Sequence, residues 1–455
     1  MLKKNYIYEI EITSYTSEGA GVGRTNNIAV FVPNSAIGDK LKVRIIKTEK
    51  RFCVGKIEEI LDCSQNRCES PCESFPKCGG CTLLHVNYDH QKEIKRQRVI
   101  DSLTRLGGFS DIEVNEVIGA KRQFNYRNKM VFPIGGETGE AIGGFYAGKS
   151  HRIIPLKTCL LGEEIADKAL LAVLSFINKN KIAPYNEEKH KGLIRRLMVR
   201  GANGTGEAMA VISVNGEKIP KSEELVKELL AIKDEKYRFV SVILNVNKEK
   251  NNLVLGNKNI TLWGKDTITD TLLGNTFEIS PNSFYQVNPT QTETLYKKAI
   301  EFADLKGDET VLDLYCGAGT ITLSCSNYAK KVIGVEIVPE AIENAKENAK
   351  KNNIKNAEFI LGKAEEIAPR LAESGEKPDC IIVDPPRKGL DIGATHAIGK
   401  MLPKRVVYVS CNPASMARDA KELTKYGYTI CEVQPVDMFP NSAHIESVVK
   451  LFLSK

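Results

Sequence analysis

Residues 309–320 read ETVLDLYCGAGT, and this stretch decides the fold of the carboxyl-terminal part of the chain. Strand-forming residues lead into a glycine turn, and the start of a helix follows directly. The next strand, residues 332–336, ends in an acid nineteen residues after Gly317. From residue 266 onward, strand and helix patterns alternate in this way. The alternation predicts a doubly wound parallel sheet with helices on both faces.

The loop after the first of these strands indicates which cofactor the sheet could hold. An acid about twenty residues past such a turn often binds a ribose, so Glu336 is a candidate cofactor ligand. The loop reads G-x-G-T rather than G-x-G-x-x-G, and Asp313 precedes it. This form resembles the S-adenosylmethionine (SAM) loop of class I methyltransferases more than a nicotinamide site. Glycines that serve only core packing are the alternative.

Two further strands end in residues that could do chemistry. Residues 380–389, CIIVDPPRKG, place Asp384 at a strand end, where two prolines stiffen the exit loop. Residues 405–413, RVVYVSCNP, place the Cys411 thiol at another strand end. Open α/β sheets bind ligands at these ends, so we expect both side chains in one cleft. A cysteine that merely fills the core is the alternative.

A thiol, a carboxylate and a methyl donor in one cleft suit methylation of uracil at C5. That carbon is a poor nucleophile until a thiolate adds to C6 and makes C5 an enolate carbon. After C5 has taken the methyl group, a base must remove its proton so that the thiol can leave. Cys411 would be the nucleophile and Glu446, which precedes the last strand, the base. For Glu446 alone, a surface carboxylate is the alternative.

The amino-terminal sixty residues read as short alternating strands. A glycine-rich turn at residues 18–24 separates the first two of four such runs. The runs are residues 6–13, 28–32, 40–47 and 52–60. They predict a small barrel of the OB type, a fold that commonly binds oligonucleotides. An SH3-like packing module without a ligand is the alternative.

A cluster of five cysteines follows this barrel. Its members are Cys63, Cys68, Cys72, Cys78 and Cys81, and Cys159 lies at a distance. Four thiolates hold either a zinc ion or a [4Fe–4S] cluster. Zinc ribbons usually pair two C-x-x-C knuckles, whereas only residues 78–81 have that spacing in this cluster. The spacing, with Cys159 as a distant fourth ligand, therefore favours a [4Fe–4S] cluster over zinc.

Composition and charge favour a cytoplasmic protein with a polyanionic partner. The net charge is +7, and most of the surplus lies in residues 1–130, which suits nucleic acid. Residues 89–106 predict a basic helix, and the mixed aromatic and cationic run at 124–130 suits contact with RNA, with an ordinary amphipathic strand as the alternative. We expect no membrane span and no signal peptide. In the cytoplasm, twelve cysteines indicate metal binding or catalysis before disulfides.

These motifs resemble the RNA (uracil-5-)-methyltransferase family over nearly the whole chain. The most specific are Ser-Cys-Asn-Pro at residues 410–413 and Asp-Pro-Pro-Arg-Lys-Gly at 384–389. The resemblance implies that Cys411 is the nucleophile and Glu446 the base. Cytosine-5 RNA methyltransferases have a cysteine next to the proline in the motif that corresponds to residues 384–389 of this chain. Arg387 stands there in this chain, which argues against cytosine as the target.

The same resemblance implies two cofactors and the residues that hold them. SAM would bind to Gln286, in the motif SFYQVN, and to Tyr315, Glu336 and Asp384, while a [4Fe–4S] cluster would bind to Cys72, Cys78, Cys81 and Cys159. The barrel resembles a TRAM domain, the OB-like RNA-binding module of the family. Cys63 and Cys68 stay unassigned, and either could compete with Cys159 as the fourth cluster ligand.

The resemblance also favours one class of substrate. Barrel and cysteines mark the branch of the family that acts on ribosomal RNA, and the family's bacterial transfer-RNA enzyme lacks both. We therefore expect 23S ribosomal RNA as the partner, transfer RNA as the runner-up, and a monomeric protein. A non-catalytic RNA-binding scaffold with a structural metal and a zinc-dependent RNA modifier are the competing functional classes.

The predicted architecture is multidomain. Residues 1–60 form the OB-like (TRAM) barrel, and residues 61–265 form a central mixed α+β domain with the iron–sulfur cysteines. Residues 266–455 form a Rossmann-like class I methyltransferase domain of α/β type. Residues 89–123 are expected to pack on the methyltransferase domain although they precede it by far in the sequence.

Overall fold

The computed structural model describes residues 2–148 and 150–454, and its first unit is a closed five-stranded barrel. Its strands are β1 (Ile7–Tyr15), β2 (Gly21–Thr25), β3 (Ile28–Val32), β4 (Lys40–Thr48) and β5 (Phe52–Asp62). They pair in the order β1-β2-β3-β5-β4 around a small core of buried aliphatic side chains, among them Ile12, Val30 and Leu41. The barrel is the all-β unit that the alternating strands predict.

Strand β2 was not predicted, because its residues were interpreted as part of a turn. Only the first part of the glycine-rich stretch turns the chain, at Gly19, whose φ is +84°. A Cβ at Gly21 would collide with Ile12, and one at Gly23 would collide with Ile10. The two glycines therefore let β2 approach β1 closely enough to close the barrel. Glycine has no side chain that could contribute to an alternating hydrophobic pattern, so this strand is not recognisable from the sequence.

A long connection that carries the cysteine cluster leads from the barrel into helix α1 (Tyr88–Ser102). It is the predicted basic helix, and three of its cations bond within the protein. Lys95 is fully buried, with Nζ 2.7 Å from Asp437 Oδ1. Arg96 and Arg98 both donate hydrogen bonds to backbone carbonyls. These three cations hold α1 against its neighbours.

The central unit is a seven-stranded sheet enclosed on both sides. Its strands are β6 (Lys129–Glu137), β7 (Glu140–Tyr146), β8 (Ile153–Pro155), β9 (Ile194–Gly201), β10 (Glu207–Val214), β11 (Arg238–Val246) and β12 (Lys258–Gly264), in the order β12-β11-β10-β9-β6-β7-β8. Helices α2 (Glu164–Lys179) and α3 (Ser222–Leu230) cover one face. The other face packs against the carboxyl-terminal unit, so every residue of β9 and β10 is buried.

The carboxyl-terminal unit begins with a small hairpin and continues as the predicted doubly wound sheet. Its strands are β13 (Ile268–Leu272), β14 (Asn275–Ile279), β15 (Thr310–Leu314), β16 (Lys331–Glu336), β17 (Ala357–Leu361), β18 (Cys380–Val383), β19 (Arg405–Ser410), β20 (Tyr428–Val436) and β21 (Glu446–Leu453). Its helices are α4 (Pro289–Ala303), α5 (Thr320–Cys325), α6 (Pro339–Lys351), α7 (Ala364–Glu373), α8 (Ile392–Met401) and α9 (Pro413–Thr424). Among the helices of the described residues, none is long and apolar enough to cross a membrane.

The large sheet has the strand order β17-β16-β15-β18-β19-β21-β20. The first five strands are parallel, and β21 runs antiparallel between β19 and β20. The segment after α1 packs beside β20, where Val114 bridges to Val433 and Ile118 bridges to Val436. Apolar residues of α1 enter the core on one face of the same sheet. Helix α1 thereby lies close to the loop between β20 and β21.

Candidate active site

Four of the predicted site residues stand at the carboxyl ends of neighbouring strands. Strands β15, β16, β18 and β19 are parallel, and their last residues are aligned across the sheet. The residues at or just after these ends are Tyr315, Glu336, Asp384 and Cys411. The sheet therefore brings together side chains that are almost a hundred residues apart in the sequence, at the edge where such sheets bind ligands.

The thiol of Cys411 and the carboxyl group of Glu446 lie at the same end of one strand pair. In the antiparallel pair of β19 and β21, Ser410 is opposite Ser447. The next residues in register are Cys411 and Glu446. Glu446 is only 4% exposed, whereas Cys411 is half-buried. Glu446 is thus not the surface carboxylate that was the alternative, and Cys411 is not enclosed in the core.

Burial and charge act together on this pair. Burial raises the pKa of Cys411 to about 11, the carboxylates of Glu446 and Asp384 raise it as well, and Arg387 lowers it. Burial also raises the pKa of Glu446 well above its ordinary value, again with a contribution from Asp384 and against Arg387. A thiolate is the reactive form of cysteine, so the site depends on positive charge near Cys411. Arg387 supplies such a charge.

Arg98 is a second cation near the thiol, and the sequence did not identify it as a site residue. The charges of Arg387 and Cys411 both act on its guanidinium, whose pKa is lowered mainly by burial. Its Nη1 donates to the carbonyl oxygen of Ala443 at 2.7 Å. The helical pattern of α1 shows Arg98 only as one of several cations. Its place beside Cys411 depends on the packing of α1, which no local signal reveals.

The two most specific sequence motifs are joined by side-chain hydrogen bonds. Asn412 Nδ2 donates to the carbonyl oxygen of Arg387 at 2.8 Å, and Ser415 Oγ donates to the same oxygen at 3.2 Å. Asn412 also begins helix α9, because its Oδ1 accepts the N–H of Ala414 and Pro413 takes the first helical position. Asn412 therefore fixes the Cys411 turn and the loop of Arg387 relative to each other.

The predicted cofactor residues surround one cleft. Gln286, Tyr315 and Asp384 line it together with the Gly317 turn. Glu336 lies behind that turn, where its Oε2 accepts the Gly317 N–H at 3.1 Å. Burial raises the pKa of Asp384 to about 7. The cleft thus combines aromatic, amide and carboxyl groups at the strand ends, which suits a ligand with both flat and polar parts.

Two aromatic residues of this cleft were not predicted. Phe284 is 73% exposed although it is a large apolar side chain, and it lines the cleft beside Gln286. Tyr296 is buried, and its hydroxyl group is hydrogen-bonded to Thr320 Oγ1 at 3.2 Å. Phe284 could have been found from its position in the SFYQVN motif. Tyr296 could not, because in the sequence it is one more residue on the core side of α4.

Four of the six cysteines considered as metal ligands line a single cavity of about 420 Å³, and they are Cys72, Cys78, Cys81 and Cys159. The Gly80 N–H donates to Cys78 Sγ at 3.4 Å. Burial raises the pKa of Cys81 to about 12 and that of Cys159 to about 11. Cys63 and Cys68 are exposed. The described residues contain no group of three or more His, Cys, Asp or Glu side chains that could hold a metal ion.

Comparisons with known proteins identify the family of the chain. The sequence model for tRNA (uracil-5-)-methyltransferase matches residues 222–455, and that for the TRAM domain matches residues 3–57. An RNA methyltransferase of Clostridium tetani is 48% identical over 448 residues, which are 98% of this chain and 96% of the relative. One of Listeria monocytogenes is 44% identical over 454 residues, with 100% and 99% covered.

A solved structure matches the whole architecture. It is the tRNA (uracil-54, C5)-methyltransferase of Pyrococcus abyssi in complex with S-adenosyl-L-homocysteine. It is 29% identical to this chain, with a TM-score of 0.78 over 98% of this chain and 100% of that one. Fold, site and relatives define an RNA methyltransferase with an amino-terminal TRAM domain. The chain belongs to the tRNA (uracil-5-)-methyltransferase family, as its motifs predict.

The reactivity of Cys411 should rise with pH and depend on Arg387. Below a pKa of about 11, the thiolate fraction grows about tenfold per pH unit, so alkylation of Cys411 by iodoacetamide should accelerate accordingly. Arg387→Gln removes a charge that lowers this pKa, and alkylation should then be several-fold slower at each pH. Mass spectrometry of the peptide that contains Cys411 measures the rate. The control is Lys388→Gln, and equal slowing in both variants would contradict this account.

Proposed function

We propose that this chain methylates C5 of a uridine in RNA, with SAM as the methyl donor and a covalent bond from Cys411 to C6 of the base. One observation carries the proposal: the register of β19 and β21 sets Cys411 beside Glu446 at the mouth of a cofactor cleft. The family relationship supports the reaction. The complex of the Pyrococcus enzyme with S-adenosyl-L-homocysteine, the demethylated form of SAM, supports the cofactor.

The cleft residues fit SAM by their chemistry. Of the four proposed ligands, Gln286, Tyr315 and Asp384 line the cleft, and Glu336 accepts the N–H of Gly317, which also lines it. Gly319, in the same loop, has a φ of +81°, and a Cβ there would press on Ala345 and Phe359 at 3.2 Å. Only glycine suits that position, so the loop keeps its shape for a ligand. When bound, SAM would supply an electrophilic methyl group.

Two residues of the protein carry out the reaction steps, with Cys411 as the nucleophile and Glu446 as the base. The Cys411 thiolate adds to C6, and the electron pair of the C5–C6 bond moves to C5 and O4. After C5 is methylated, Glu446 takes the C5 proton, and the returning electrons expel the thiolate. Burial raises the pKa of Glu446, which makes its carboxylate a stronger base than an exposed one. A target base inside a duplex must be flipped out to reach this site.

We also propose that Cys72, Cys78, Cys81 and Cys159 hold a [4Fe–4S] cluster. The observation that supports this proposal is that all four thiols line one cavity, because four cysteine thiolates are the ligand set of such a cluster. Among the candidates for the fourth ligand, Cys159 lines this cavity. The methylation described above transfers no net electrons, so a cluster there would serve structure.

Two classes of RNA are candidates for the substrate. We propose 23S ribosomal RNA first, because the cysteine spacing resembles that of the ribosomal branch. Transfer RNA is the second candidate, and a specific observation favours it. The Pyrococcus enzyme is named for transfer RNA and is covered along its whole length by this chain. An amino-terminal barrel therefore does not exclude a transfer-RNA substrate.

Trapping of a covalent adduct tests the mechanism. RNA that contains 5-fluorouridine, incubated with SAM and the protein, should give a stable adduct, because fluorine cannot leave as a proton does. Cys411→Ala should abolish the adduct, and Glu446→Gln should accumulate adduct on ordinary RNA. Denaturing gel electrophoresis with labelled RNA measures both. An adduct that survives Cys411→Ala, or rapid turnover by Glu446→Gln, would overturn the roles assigned here.

Anaerobic purification tests the cluster and its fourth ligand. We expect a brown protein with about four iron and four sulfide per chain, as for a [4Fe–4S] centre. Cys159→Ser should lose the colour and most of the iron, whereas Cys68→Ser should keep both. Visible absorbance together with iron and zinc analysis gives the result. A colourless protein that contains zinc would contradict the cluster, and loss of iron in Cys68→Ser alone would reassign the fourth ligand.

Mapping of 5-methyluridine decides between the two RNA classes. In a strain without the gene, we expect 5-methyluridine to disappear from 23S ribosomal RNA and to return with the wild-type gene. A gene with Cys411→Ala is the control and should not restore it. Mass spectrometry of digested ribosomal and transfer RNA measures the change. Loss confined to transfer RNA would establish the second candidate instead.

A further inference from the structure

The loop that leads into Glu446 is held from outside the carboxyl-terminal unit. It comprises residues 440–445, between β20 and β21. Tyr126 donates its hydroxyl hydrogen to the carbonyl oxygen of Pro440 at 3.2 Å, and Arg98 donates to that of Ala443 at 2.7 Å. Both donors lie more than three hundred residues before the loop in the sequence. The position of the proposed base therefore depends on residues of the first third of the chain.

Asn441 shows this dependence most clearly. Its carbonyl oxygen accepts the N–H groups of Thr82 and Leu83 at 3.1 and 3.0 Å. Its N–H and its side-chain Oδ1 both bond to the amide of Gln91, and its Nδ2 donates to the carbonyl oxygen of Gln123 at 2.9 Å. Every polar group of Asn441 is thus satisfied by residues 82–123. Its φ of +67° is a conformation that these bonds maintain.

Thr82 makes a second contact with the same loop. Its Oγ1 accepts the N–H of Ala443 at 3.0 Å, so Thr82 bonds to residues 441 and 443 at once. Ala443 is three residues before Glu446. Thr82 directly follows Cys81, which lines the cysteine cavity, and Gly19 of the barrel packs against both Thr82 and Ala443. Thr82 therefore belongs to the connection that carries the cysteines, and it lies between the barrel and the loop that leads into Glu446.

We propose that Thr82 is a positioning residue for the base: through Asn441 and Ala443 it fixes the loop that sets Glu446 beside Cys411. The inference rests on the proposed function of Glu446 and adds the residue that holds it in place. A proton transfer depends steeply on the distance between base and proton, and a misplacement of about 1 Å can cost about a hundredfold in rate. A loosened loop should therefore slow proton removal and leave the earlier addition of Cys411 intact.

The test compares Thr82→Val, which keeps the side-chain shape but removes the acceptor, with Thr82→Ser, which keeps the hydroxyl group. We expect Thr82→Val to lower kcat about ten- to a hundredfold, to change KM for RNA less than about twofold, and to accumulate covalent adduct on ordinary RNA. Thr82→Ser should restore most of kcat. Thr205→Val is the matched control, because Thr205 Oγ1 also accepts a backbone N–H, that of Glu207 at 3.3 Å, far from the loop.

Two measurements separate this inference from the proposed function and from a general folding defect. Thr82→Val should form the 5-fluorouridine adduct at the wild-type rate, because that adduct forms before proton removal, and its Ala443 amide should exchange hydrogen faster than in the wild type. If the wild type forms no such adduct, the proposed function fails. If the wild type does form this adduct, two results would show that the positioning role is wrong. One is turnover of ordinary RNA by Thr82→Val at the wild-type rate, and the other is equal loss of the adducts on 5-fluorouridine RNA and on ordinary RNA.

Discussion

The pairing of β19 with β21 is the constraint on which the site depends. Because Ser410 lies opposite Ser447, the thiol of one strand end and the carboxyl group of the other strand start are neighbours. Side chains alternate along a strand, so a slip of one residue would turn Glu446 to the other face of the sheet. The register is held by packing on both faces of the large sheet, because both strands lie in its middle and are buried along most of their length. Packing of the core therefore determines where the Cys411 thiol and the Glu446 carboxyl group lie relative to each other.

That placement has an electrostatic cost, which the surrounding cations offset in part. A half-buried thiol near two carboxyl groups is a weak acid, and burial alone would leave Cys411 protonated. Arg387 acts in the opposite direction, and Arg98 brings a second positive charge to the same place. The two cations therefore offset part of the effect that burial and the carboxylates have on the thiol.

The sequence predicted the residues that local patterns mark and missed those that only distant packing brings in. Cys411 and Asp384 follow strongly apolar strands, so strand periodicity sufficed to place them at one edge of a parallel sheet. Strand β2 was missed because its glycines serve close approach and leave no pattern. The burial of Lys95 could not be predicted, since its partner Asp437 is more than three hundred residues away. The contact of Thr82 with Ala443 is invisible for the same reason.

The site is therefore shared among units that the sequence presents as separate. On the cofactor side, the buried Arg200 of the central sheet donates to the carbonyl oxygens of Ser280 and Ser283 at 3.2 and 2.8 Å. Asn128 Nδ2 donates to that of Gln286 at 3.2 Å. Near the proposed base, Thr82 and Leu83 bond to the loop before Glu446 in the same manner. A methyltransferase sheet alone would leave both loops without these partners, and buried polar groups are costly to leave unpaired. The amino-terminal and central units thus complete the site, so an intact carboxyl-terminal unit by itself should be a poor enzyme.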